Sequence, residues 1–182
     1  MKPLPIAVCA ALLAVAVPAQ ISGSINQNAP VVAHTISMGP AKLELSYTAI
    51  RFGQGAWQKI LDDTSGHDKF NAFAEKTPLG SVKTSAPVMA AGKEVPAGEY
   101  SMFFTVHEQA GWILNLKPKT GDAIRWRLVL TPSASKNECL KISLDPTAQD
   151  GTCSLTIAFG SEGVTVPVAV KQDKPADKTK DG

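Results

Sequence analysis

The segment Gly92-Lys93-Glu94-Val95-Pro96-Ala97-Gly98-Glu99-Tyr100-Ser101 decides the fold. Pro96 presets φ at about −65° and Gly98 supplies a positive φ, so the stretch reads as a tight turn feeding a strand. Tyr100, Met102, Phe104 and Val106 then follow at period two. After a loop at 108–111 comes Trp112-Ile113-Leu114-Asn115-Leu116. Side chains on a strand alternate between faces, so this pattern predicts a hairpin with one apolar face.

The same signal extends in both directions. Upstream, residues 31–38 read as a first strand, and Met38-Gly39-Pro40 turns into a second. There Leu43, Leu45 and Tyr47 alternate with Lys42, Glu44 and Ser46, the mark of a strand with one wet face. Downstream, Ile124, Trp126, Leu128 and Leu130 alternate with Arg125 and Arg127. Residues 140–144 and 154–159 form a hairpin over Asp145-Pro146, and Val164, Val166, Val168 and Val170 complete the set. Pro87 weakens a strand over 82–90, and Pro167 marks an edge position.

Residues 51–80 break the pattern. Trp57, Ile60 and Leu61 fall at helical spacing, and Phe70, Phe73 and Ala74 repeat it. The reading is one or two short helices, broken at 62–66 and stopped by Pro78. The expected fold is therefore an all-β antiparallel β-sandwich over residues 31–170, with a short helical insertion between its second and third strands. An insertion of this length is the natural place for function.

The G-K-x-x-P-A-G-x-Y-S turn followed by the tryptophan-led Trp112-Ile113-Leu114-Asn115 strand resembles the secreted bacterial domain-of-unknown-function family 2911. The likeness spans residues 32–170, with further anchors at His34-Thr35-Ile36, Leu43–Tyr47, Leu155–Phe159 and Val164–Val168. It implies a fold and no activity. Thr48-Ala49-Ile50 stand where that family carries an Arg-Pro pair, and residues 79–84 keep only the glycine of its W-R-x-G-A-N-E signature. The resemblance is to a divergent member.

The ends point to export. Lys2 precedes an apolar run at 6–17, and Val17-Pro18-Ala19 ends in the small residue a signal peptidase needs, so residues 1–19 read as a signal peptide. The run is shorter than the ~20 residues of a membrane span, and Pro18 interrupts it. The expected location is periplasmic or extracellular, with no membrane span in the mature chain. Residues 20–30 read as a flexible leader and 171–182 as a disordered charged tail. The formal charge is +2. Loss of Lys2 lowers it to about +1, which gives no electrostatic basis for nucleic-acid binding.

With Cys9 gone, Cys139 and Cys153 remain. An oxidising compartment favours pairing them. Parity opposes it, because Leu140, Ile142 and Leu144 send Cys139 to one face while Cys153 keeps step with Leu155, Ile157 and Phe159. The disulfide stays open.

Candidate chemistry is sparse. His34, His67 and His107 have no second histidine at ligand spacing, and no H-E-x-x-H occurs, so no metal is expected. Asp62, Asp63, Thr64, Ser65 and Asp68 invite a calcium reading. Counted from Asp63, however, the sixth and twelfth positions are Asp68 and Ala74, which fails an EF-hand. An acidic helix start explains the loop better. No G-x-S-x-G elbow occurs, Ser65 and His67 are too close to form a triad, and no acid pair can be chosen among Glu99, Glu108 and Asp122.

Trp112 and Trp126 sit in phase with core positions, leaving Trp57 as the expected surface aromatic. The candidate binding residues are thus Trp57, Asp62, Asp63, His67 and Asp68. No catalytic residue and no cofactor is expected. The sequence reads as an exported, non-enzymatic binding or envelope-associated module for a small molecule or glycan; a secreted hydrolase acting on glycans is the alternative.

Overall fold

A computed structural model describes residues 28–51 and 56–171. The expected signal peptide (1–19), most of the expected leader and all but the first residue of the expected tail lie outside those residues. Lys171, assigned to the tail by composition, is instead tied down: its N–H donates to Pro87 O at 3.0 Å, and its Nζ meets Glu94 at 2.8 Å.

The strands form two antiparallel sheets. The first has the order β1-β2-β3-β6-β7-β8: β1 (Val31–Met38), β2 (Ala41–Thr48), β3 (Gly80–Thr84), β6 (Gly98–His107), β7 (Gly111–Pro118) and β8 (Ile124–Arg127). The second has the order β5-β4-β10-β9: β5 (Lys93–Val95), β4 (Val88–Ala90), β10 (Thr152–Val170) and β9 (Thr131–Pro146). The chain is a β-sandwich, as the alternation predicts. Leu43, Leu45, Met102, Phe104 and Leu114 meet Val88, Val95, Ile142, Ile157 and Val168 in one buried core.

The strand expected over 82–90 is divided between the sheets. β3 ends at Thr84, the chain crosses at 85–87, and β4 begins in the opposite sheet. Pro87, which lacks an N–H, falls in the crossing, where no ladder bond is required. A hairpin the sequence reading missed follows. Ala91 (φ 44°) and Gly92 (φ 77°) form its two-residue loop, the positive-φ pair of a type I′ turn, so the tight turn lies earlier than Gly98. The return crossing is at Pro96-Ala97, where the Tyr100 hydroxyl donates to Pro96 O at 2.7 Å.

β10 turns back on itself at Gly160 (φ 55°). The Thr156 and Thr165 hydroxyls lie 3.3 Å apart, and Val170 N–H donates to Gly151 O at 2.9 Å. Residues 153–163 pair with β9 and 168–170 with β4. This corrects the edge assignment of Pro167: β10 is internal, and Pro167 sits where its ladder with β4 ends, its carbonyl accepting from Ala91 N–H at 3.1 Å.

The insertion lies between β2 and β3, as expected. It comprises α1 (Ala56–Asp62), a 3-10 turn (Thr64–Gly66) and α2 (His67–Lys76). α2 runs along β6, whose pairing with β3 ends at Met102↔Gly80. Beyond that point Asn71 takes the place of a strand: its Nδ2 donates to Val106 O at 2.9 Å, and its Oδ1 accepts from Val106 N–H at 2.8 Å. Glu75 of α2 also pairs with Lys117 on β7. Gly80 is required at the junction, since a Cβ there would lie 2.1 Å from Ser46 O.

Asn71→Ala leaves both backbone groups of Val106 without a partner, so stability should fall by about 2 kcal/mol in urea denaturation. A loss below about 0.5 kcal/mol contradicts the clasp.

Candidate functional site

The insertion reaches the core through Trp57. This residue is 4 % exposed and stacks on Trp112 with centroids 3.6 Å apart and rings 12° from parallel. Phe159 lies 4.6 Å from Trp57, Phe104 meets it edge-on at 6.0 Å, and Phe70 meets Trp112 edge-on at 5.5 Å. The expectation of a surface aromatic at position 57 is therefore corrected. Trp57 is buried because α1 turns it into the end of the sandwich, where burying a large ring outweighs leaving it in water.

Above this stack opens a cleft of about 290 Å³. α1 supplies Trp57, Gln58 and Leu61; the β6–β7 turn and the start of β7 supply Ala110, Gly111 and Trp112. Arg127 and Leu128–Leu130 come from the end of β8 and the crossing to β9, and Glu162 comes from the fold-back of β10. Val129 is 67 % exposed at the mouth, a large apolar side chain left in water. Trp57 is stacked on Trp112 and almost wholly buried, so the floor offers no open flat face for a sugar ring.

The other predicted site residues do structural work around α1. His67 is 7 % exposed, and its Nε2–H donates to Ile60 O at 3.0 Å and Leu61 O at 3.1 Å. Those carbonyls end α1 and have no intrahelical partner, so the imidazole caps the helix. Asp62 accepts from Gln58 Nε2 at 2.7 Å and Asp63 from Ser65 Oγ at 2.6 Å. Asp68 lies in the first turn of α2, where the helix dipole favours a carboxylate. Among the described residues no group of three or more His, Cys, Asp or Glu is placed to hold a metal ion. Trp57 alone of the five lines the cleft. Sequence reasoning missed Arg127 and Val129 from one segment and Glu162 from another far along the chain.

The carboxylates with displaced pKa values lie elsewhere. Hydrogen bonds from Lys42, Lys117 and Lys83 hold Glu44, Glu75 and Glu99 below the usual carboxylate range. All three are surface ion pairs; Lys83 sits 2.9 Å from Glu99 in the neighbouring strand. They form no acid–base pair in a cleft.

Cys139 and Cys153 are not bonded to each other in the structure. Cys153 pairs in register with Pro146, not with Cys139. Cys139 is seven residues further along β9, a distance of roughly 23 Å at 3.3 Å per residue. The face assignment holds for Cys153, which is buried. No protein-family model, curated protein or solved structure matches the chain.

Burial, with the nearby Asp145 charge, raises the Cys153 thiol from 9.0 to about 11. The folded state holds that proton longer than the unfolded chain, so this contribution to stability is whole below pH 9.0 and is lost as pH rises towards about 11. Iodoacetamide at neutral pH, read by peptide mapping, should modify Cys139 first and Cys153 only in denaturant. Equal rates at the two sites contradict the burial.

Proposed function

We propose that this protein is an exported, non-catalytic β-sandwich domain that binds a small molecule in the cleft between α1 and the β8–β9 crossing. The observation that carries the reading is the Trp57–Trp112 stack beneath a cleft with an exposed apolar lip at Val129 and polar side chains at its rim. Burying apolar ligand surface there, with a few polar groups to orient it, is how small-molecule sites work. Burial of Trp57 favours a compact ligand over a glycan stacked on its ring. The apolar run at 6–17 and the small residue Ala19 support export. Kinship with family 2911 is part of the proposal and rests on the turn at 92–101 and the strand from Trp112.

Two of the three tryptophans lie under the cleft, while Trp126 is held elsewhere by its Nε1–H bond to Ala90 O at 2.9 Å. A bound ligand should therefore shift tryptophan emission. Ala110→Trp, which fills the cleft, should weaken binding by about tenfold or more without lowering thermal stability. A panel of metabolites and oligosaccharides that leaves the emission unmoved contradicts the proposal. So does a ligand that binds the filled variant equally well.

A further inference from the structure

Arg127 and Glu162 line the same cleft with opposite charges, yet no N···O distance of 4.0 Å or less joins them. Neither side chain makes an ion pair or hydrogen bond with a described residue. Elsewhere on the surface lysines and glutamates do pair, at Lys42–Glu44, Lys83–Glu99, Lys117–Glu75 and Lys171–Glu94. Opposite charges that share a cleft without meeting leave a place for a ligand that carries both.

The backbone positions of the two charges are set by sheet register. Arg127 pairs across from Ile113 at the end of β8, and Glu162 pairs across from Pro132 where β10 turns back. Leu61, Leu128 and Leu130 line the same cleft with the two tryptophans and give it apolar surface. The volume of about 290 Å³ falls just under the roughly 300–1,000 Å³ of ligand pockets, which limits the site to a small ligand.

Resting on the small-molecule reading above, we propose that the ligand is a small zwitterion with an apolar side chain, a free amino acid or a dipeptide. Its carboxylate lies in the planar fork of Arg127, which suits bidentate recognition. Its ammonium faces the Glu162 carboxylate, and its side chain covers Leu61, Leu128 and Leu130. No bond is made or broken.

The test is titration of the full chain with L-leucine, L-phenylalanine and leucyl-leucine, followed by tryptophan emission and calorimetry. N-acetyl-leucine and leucine amide, each lacking one charge, serve as controls. At least one zwitterion should bind, and removing either of its charges should weaken binding by about tenfold. Arg127→Gln should weaken the zwitterion by a similar factor. Glu162→Gln should abolish the preference for leucine over N-acetyl-leucine. Zwitterions that fail to bind at about 10 mM, while an uncharged or singly charged metabolite binds and Ala110→Trp blocks it, overturn this proposal and leave the small-molecule site standing. Zwitterion binding that Arg127→Gln and Glu162→Gln leave unchanged also overturns it. A cleft that takes no ligand of any class overturns both readings.

Discussion

The edge of β6 beyond Met102 is the constraint on which the rest of the molecule turns. β3 begins at Gly80 and cannot pair with the last residues of β6, leaving the backbone groups of Val106 that face away from β7 with no strand partner. Buried or half-buried peptide groups must find a partner. The Asn71 amide supplies a donor and an acceptor in the spacing of a strand, so α2 is held at that edge by hydrogen bonds as well as by packing. From α2 the constraint passes backward. His67 at its start holds the last carbonyls of α1, and α1 delivers Trp57 onto Trp112. The cleft is a product of that chain of contacts.

The sandwich itself is closed along both flanks. On one side Tyr47 Oη accepts from Ile142 N–H at 2.9 Å, and Leu140 N–H donates to Ile50 O at 2.9 Å, joining β2 and its continuation to β9. On the other, Trp126 Nε1–H donates to Ala90 O, and Lys93 Nζ donates to Arg125 O at 2.6 Å, joining β8 to β4 and β5. Cross-flank bonds of this kind cover strand edges that would otherwise invite pairing with another chain. They also explain why Trp126 is core and Trp57 is site: one indole locks a flank, the other fills an open end.

Much of the fold was legible, because alternation at period two is a direct record of a half-buried sheet. Leu43, Leu45 and Tyr47 point inward as read, and the change to helical spacing at Trp57 and Ile60 marks the insertion correctly. What could not be read was which sheet a short strand joins. β4 and β5 have three residues each, too few to show a period, so their hairpin was missed. The site was less legible still. The aromatic, histidine and acids near residue 60 drew attention by composition, but three acids and the histidine serve α1 and α2, and Trp57 is buried. Arg127 looked like an ordinary outward-facing strand residue and Glu162 fell between two expected strands, since only the crossing after β8 and the fold-back of β10 bring them to one opening.

The central claim is that the insertion is an integral layer of the sandwich and therefore a rigid wall of the cleft. Native-state hydrogen exchange measures this directly, since amides that open together exchange with one free energy. The Val106 amide and those in the middle of α2 should be protected to within about tenfold of the β6–β7 ladder. Amides of α2 and Val106 that exchange a hundredfold or more faster than that ladder, about 2.7 kcal/mol, would show an insertion that opens on its own, and a cleft without a fixed wall.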